Sequence, residues 1–184
     1  MIRDSHDNFG IMSIFFHWLS AGLTLFLFGL GVYLTSYGYY SSDYLQYAHL
    51  HYGLGIILFG LVAIRLLWRL TSKTPKTLTP SLPAKISIKL SKFLLYIFLF
   101  TIFLSGYFIC TAEGQTINVF DLFQVPSFLL LETDQVNLAG LTHKYVAWVL
   151  FGLVILHAGA AFVHHFFIRD QTLVRMLKPR KKTL

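Results

Sequence analysis

The stretch HKYVAWVLFGLVILH, positions 143–157, is an apolar run with a histidine at each end and a lysine beside the first. Fourteen steps at about 100° each fall about 40° short of four full turns, so a helix carries His143 and His157 on nearly one face. At about 1.5 Å per residue the two rings lie about 21 Å apart along the axis. Titratable side chains at membrane depth are costly and are retained mainly where they act. A hydrogen bond to a neighbouring helix would explain any one such histidine. What sets this stretch apart is that other histidines match it by depth.

The rest of the chain has the composition of a membrane protein: of 184 residues, 55% are hydrophobic and 12% charged, with 18 phenylalanines. Four apolar runs, 11–35, 48–70, 88–110 and 141–168, reach the roughly 20 residues that span about 30 Å of hydrocarbon. The expected fold is all-α, an integral membrane four-helix transmembrane bundle forming a single domain over 1–184. The first run is too long for a signal-peptide core and no A-x-A-like site follows it, so it is read as a mature helix. Between the third and fourth runs, the loop 111–140 contains VFDLFQVPSFLLL, apolar but broken by Asp121 and Pro126, which suggests a short surface-lying helix.

Charge segregation orients the spans. Arg65 and Arg69 at the end of run two, Lys73, Lys76 and Lys85 after it and Lys89 and Lys92 at the start of run three cluster on one side, and Arg169, Arg175, Lys178, Arg180, Lys181 and Lys182 follow run four. The positive-inside rule puts these ends, and both termini, in the cytoplasm. The opposite loops hold Asp43, Glu113, Asp121, Glu132 and Asp134 against Lys144 alone. The net charge of +7 is therefore assigned to topology and anionic headgroups of the lipid bilayer, with no nucleic acid as partner. A single cysteine, Cys110, excludes an internal disulfide, a C-x-x-C-H haem attachment and a thiolate metal cluster, so any metal chemistry rests on histidine.

Depth pairs the histidines. His51 lies fourteen residues before the basic end at Arg65, level with His143, while His17 near the inner end of run one is level with His157. Tetrahedral zinc needs four ligands, whereas two imidazoles on opposite sides of a planar ring suit a six-coordinate b-type haem iron. Small residues one turn on (Ala21, Gly55, Ala147 and Ala161) leave room for a flat macrocycle, although they also serve ordinary helix packing. His49, followed by Gly53, passes the same test and points about 200° away from His51, so spacing leaves the choice between them open.

The segments HWL, HYGLGIILFGLVAIRLLWRL and HKYVAWVLFGLVILHAGAAFVHHFFIRDQTLVRMLKP resemble the bacterial cytochrome b561 family, in particular its superoxide oxidase type. The resemblance implies two haem b groups, held by His51 with His143 on the outer side and by His17 with His157 on the inner side. It favours His51 over His49, and it implies ubiquinone as acceptor, an inner (cytoplasmic) membrane location and a superoxide:quinone oxidoreductase activity. The alternative is a non-catalytic electron-transfer subunit fed by a periplasmic redox protein. Arg65, on the His51 face at the inner depth, is expected to pair with a haem propionate, or else to anchor the inner surface. His164, seven residues past His157 and within about 20° of its face, is the expected quinone-site histidine. Arg169 and Asp170 read as a solvated charge pair at the helix end. Superoxide is an anion, and the acidic outer loops attract it poorly, so Lys144 beside His143 is the expected local guide.

Overall fold

The computed structural model describes residues 1–36, 42–79 and 81–179; the tail cations Arg180, Lys181 and Lys182 lie outside them. The described elements are α1 (Ile11–Leu34), α2 (Ser42–Thr71), α3 (Leu82–Cys110), β1 (Ile117–Val119), β2 (Phe123–Val125), α4 (Thr133–Val163) and α5 (Val174–Leu177), with a π-turn over His164–Ile168. Four of these helices are long and apolar enough to cross a membrane. Their outward faces carry large apolar side chains such as Phe15, Leu25, Phe93, Trp148 and Leu156, which in water would be a liability and in lipid is the ordinary state.

The helices begin earlier than hydropathy marks. α2 starts at Ser42 rather than 48, with the negative Asp43 in its first turn complementing the positive end of the helix dipole. α3 starts at Leu82 rather than 88, and Pro83 is accommodated because first-turn N–H groups have no intrahelical acceptor. α4 starts at Thr133 rather than 141. Hydropathy registers the hydrocarbon crossing, whereas backbone hydrogen bonding continues a helix into the polar boundary.

By Cα packing the chain divides into two compact units, one of Met1–Ala21, Leu61–Leu95 and Gly152–Leu184, the other of Gly22–Gly60 and Tyr96–Phe151. In the first, residues 1–10 fold back over the start of α1. Asp4 is buried and takes the Gly10 N–H at 2.7 Å, the Ser13 hydroxyl at 2.8 Å and Arg69 at 3.5 Å. Trp68 Nε1 donates to the same Ser13 hydroxyl at 3.0 Å, and the Ile11 N–H, which α1 cannot satisfy, bonds to the Met1 carbonyl at 3.1 Å. Trp18 Nε1 donates to the Met176 carbonyl at 2.6 Å, tying α5 to α1.

In the second unit the loop between α3 and α4 corrects the expectation of a short surface helix. β1 and β2 form an antiparallel hairpin, with Ile117 opposite Val125 and Val119 opposite Phe123. Both central residues of its turn, Phe120 (φ 53°) and Asp121 (φ 58°), are left-handed. Asn118 stabilises the turn, donating to the Asp121 carboxylate at 2.6 Å and accepting the Asp121 N–H at 2.9 Å. Pro126 ends the ladder, and Tyr107 then holds the extended chain by donating to the Pro126 carbonyl at 2.8 Å and accepting the Phe128 N–H at 2.9 Å. The Asn118 turn, with Ile117 and Val119 both buried, sets this backbone in place of the helix that the apolar content suggested.

Gly10 is the tightest point of the amino-terminal fold: a Cβ there would stand 2.3 Å from the Ile2 carbonyl oxygen, a backbone atom that cannot swing aside. Gly10→Ala is expected to break the Asp4 network and destabilise the protein by about 1–3 kcal/mol. Thermal unfolding in detergent should show a lowered Tm, and an unchanged Tm would contradict this packing.

Candidate functional site

α2 and α4 bring His51 and His143 face to face in the unit of Gly22–Gly60 and Tyr96–Phe151, with ring centroids 6.2 Å apart and planes at 70°. His143 Nδ1 lies 3.1 Å from the Ile102 carbonyl and 3.2 Å from the Ser105 hydroxyl. A carbonyl can only accept, so Nδ1 carries the proton and Nε2 keeps its lone pair, the tautomer a metal ligand needs. Ser105 spends its own proton on the Thr101 carbonyl at 2.8 Å, which leaves its oxygen free to accept from the ring. Glycines give the rings their place. A Cβ on Gly106 of α3 would lie 3.0 Å from His143 Cε1, and one on Gly31 of α1 would lie 3.2 Å from His51 Cε1. His51 Nδ1 is buried and has no hydrogen-bond partner among the described residues, so this ring depends most on what its other edge binds.

His49 takes no part in that pair. Its ring stands 5.1 Å from Tyr52 and 5.8 Å from Phe120 at the hairpin tip. The space that Gly53 leaves one turn on is filled by the same Phe120 ring, 2.8 Å from where a Cβ would be. By contrast, a Cβ on Gly55 would meet nothing within 4 Å, so the surface one turn past His51 is open.

The second pair belongs to the other unit: His17 of α1 and His157 of α4 have ring centroids 6.3 Å apart and planes again at 70°. Arg65 of α2 lies over it, with Nη2 2.9 Å from His17 Nδ1 and Nη1 donating to Ser20 Oγ at 2.9 Å. A guanidinium only donates, so His17 Nδ1 accepts here and its proton sits on Nε2. Ligation through Nε2 would require the ring proton to move to Nδ1 and Arg65 Nη2 to turn away from that nitrogen. Lys92 of α3 is also within electrostatic reach of His157.

Both pairs pass a simple test of fit. A metal–imidazole bond of about 2.0–2.1 Å, added to about 1.1 Å from ring nitrogen to ring centroid and taken twice, gives about 6.2–6.4 Å. The observed separations match two imidazoles on either side of one metal ion. Among the described residues no three His, Cys, Asp or Glu side chains gather closely enough to hold a metal ion by themselves. The remaining donors would come from the ligand, as the four nitrogens of a haem do.

Beyond His157 the chain does something the sequence did not suggest. The α-helix turns into a π-turn over His164–Ile168, and Arg169 follows in the left-handed conformation, φ 59° and ψ 34°. Such a residue costs about 1–3 kcal/mol. Asp170 swings back onto His164, Oδ2 to Nδ1 at 2.5 Å, and takes the Thr172 N–H on Oδ1 at 2.8 Å. The expected Arg169–Asp170 charge pair is therefore corrected: Asp170 pairs with His164, and Arg169 is exposed. His165 Nδ1 is buried without a hydrogen-bond partner among the described residues. Lys144 is exposed on α4 beside His143, its Nζ 6.0 Å from the Tyr145 ring.

Sequence reasoning missed Gly31, Gly106, Ser105 and Asp170 at these places. A Ser-Gly pair inside the otherwise bulky third run was an available signal for two of them. Asp170 had none, because its contact depends on the π-turn.

A family model described as prokaryotic cytochrome b561 matches residues 8–179. The chain is 38% identical over 172 residues to cytochrome b561 homolog 2 of Escherichia coli (strain K12), covering 93% of this chain and 92% of that protein. It is 28% identical over 182 residues to cytochrome b561 homolog 1 of the same organism, covering 96% and 99%. It is also 24% identical over 179 residues to a protein of Yersinia pestis named "probable superoxide oxidase CybB", covering 96% and 99%.

The His164–Asp170 contact has a pH signature. Burial alone raises the Asp170 carboxyl, but hydrogen bonds from Thr172 and His164 outweigh it and hold it below the ordinary value of 3.8. A carboxylate depressed in the folded state contributes stability above its unfolded pKa and loses it as pH falls through the folded one. Wild type is expected to be more stable than Asp170→Asn at pH 6, with the gap closing below about pH 4. Denaturation profiles at several pH values check this, and a gap independent of pH would contradict it.

Proposed function

The chain belongs to the prokaryotic cytochrome b561 family, whose members bind haem b and transfer electrons at membranes, and on that premise we propose a di-haem superoxide:quinone oxidoreductase. In this reading a single transmembrane cytochrome b domain oxidises superoxide to oxygen at the periplasmic face of a bacterial inner membrane. It reduces ubiquinone near the cytoplasmic side, where both termini lie. The observation that carries the reading is the pair of facing imidazole couples, at 6.2 Å and 6.3 Å, each spaced to hold one metal ion between two rings.

His51 with His143 would hold one haem, and His17 with His157 the other. Haem, when bound, supplies reversible one-electron chemistry between donor and acceptor. The residues do the rest. Ile102 and Ser105 fix the tautomer of His143. Arg65, released from His17, would hold a propionate through its paired N–H groups, with Ser20 already orienting it. His164, at the basic end of α4, would serve the quinone, whose reduction consumes two protons with its two electrons. Lys144 would attract superoxide to the His51/His143 site. The cations at the ends of α2 and α4 support a cytoplasmic position for those ends.

Superoxide as the donor is supported by the name of the 24% identical relative and by the placement of Lys144 next to His143. A second reading, an electron-transfer subunit that takes electrons from a periplasmic redox protein, is favoured by one observation. Asp43, Glu113, Asp121, Glu132 and Asp134 are all exposed, an acidic surface suited to a basic partner.

Stopped-flow mixing of the oxidised protein with superoxide distinguishes the two. Fast reduction, slowed about tenfold and made less salt-sensitive in Lys144→Gln, is expected if superoxide is steered by this lysine. No reduction by superoxide would favour the redox-protein partner. Fast reduction that is salt-insensitive and unchanged in Lys144→Gln would remove the lysine from the account.

A further inference from the structure

A regular α-helix keeps residues six apart on different faces: they are about 120° apart around the axis and about 9 Å along it. His164 and Asp170 nevertheless meet at 2.5 Å. The π-turn over His164–Ile168 and the left-handed Arg169 make this contact, and the N–H groups of both Arg169 and Asp170 converge on the His164 carbonyl. π-segments inside helices are frequent at functional sites. Here the distortion has one evident product, a carboxylate aimed at an imidazole.

Both carboxylate oxygens are assigned. Oδ1 takes the Thr172 N–H at 2.8 Å and Oδ2 faces His164 Nδ1, so Asp170 has a fixed orientation. An ionised carboxylate only accepts, so His164 Nδ1 carries a proton whether the ring is neutral or charged. Ring exchange with a bound molecule is then confined to Nε2, and a quarter of the side chain remains accessible, 25% by relative surface.

We infer that Asp170 is the positioning residue for proton delivery at the quinone site, holding His164 by Nδ1 so that its imidazolium gives the Nε2 proton to a quinone oxygen. This rests on the reading of His164 as the quinone-site histidine. The step balances. Two superoxide anions lose one electron each and leave as oxygen. The quinone takes up those two electrons, and each of its carbonyl oxygens becomes a hydroxyl on receiving one proton. At the oxygen facing His164 the Nε2–H bond breaks as the new O–H bond forms, and solvent supplies the proton taken up by the far oxygen. The neutral ring keeps its Nδ1–H on Asp170, and a hydronium ion from the solvent restores the Nε2 proton, leaving water, before the next turnover.

The test uses the full-length haem-loaded protein in detergent, reduced with dithionite and mixed with a short-chain ubiquinone, with reoxidation followed by visible absorbance in H2O and D2O. Asp170→Asn is expected to lower kcat about tenfold or more with KM within about twofold, and to enlarge the solvent isotope effect. Asp170→Glu should recover most of the rate, and haem content and spectrum should stay as in wild type. If His164→Gln is slow while Asp170→Asn keeps wild-type kcat and isotope effect, the inference is overturned and the quinone role of His164 survives. If both variants reoxidise at the wild-type rate, the His164 reading falls and takes the inference with it. A slow Asp170→Asn that has lost haem, or shows no change in isotope effect, reduces Asp170 to a structural role and overturns the inference.

Discussion

An imidazole within a membrane-crossing helix has two nitrogens and no water to satisfy them, and the protein is built around that demand. His143 meets half of it with the Ile102 carbonyl and the Ser105 hydroxyl. His17 meets it with Arg65. The other half is answered by a facing imidazole at a separation that admits one metal ion between the rings. Glycines at 31 and 106 follow from the same demand, because any larger side chain there would press on the paired rings.

The two couples share a spacing and differ in electrostatics. The Ile102 carbonyl sets His143 in the tautomer that ligation needs, so nothing has to move. At His17 a guanidinium holds the opposite tautomer, so ligation is coupled to displacement of Arg65. A carboxylate-bearing ligand bound there would meet the Arg65 guanidinium, with Lys92 near His157 as a second cation. A macrocycle with two propionates matches such a site better than a bare metal ion, which carries no anion for Arg65 to receive.

How far these features can be read from sequence depends on how local their causes are. Four apolar runs give four long helices, since chain length and hydropathy act residue by residue. The meeting of His51 with His143, and of His17 with His157, follows the depth count from rise per residue. The choice between His49 and His51 was beyond periodicity, because it depends on Phe120 at the tip of a hairpin that the sequence hid. Three-residue strands carry too little alternation to outweigh a run such as SFLLL. Asp170 was illegible for a sharper reason. Helical geometry assumes 3.6 residues per turn, and the contact with His164 exists only where that assumption fails, through the π-turn and Arg169.

The central claim is that each imidazole couple ligates one haem. Electron paramagnetic resonance of the oxidised, purified protein, combined with a haem count by pyridine haemochrome, addresses it most directly. The account predicts two b-type haems per chain, both low-spin as two axial imidazoles require, with no high-spin signal. One haem per chain, or a high-spin signal of stoichiometric intensity, would contradict it.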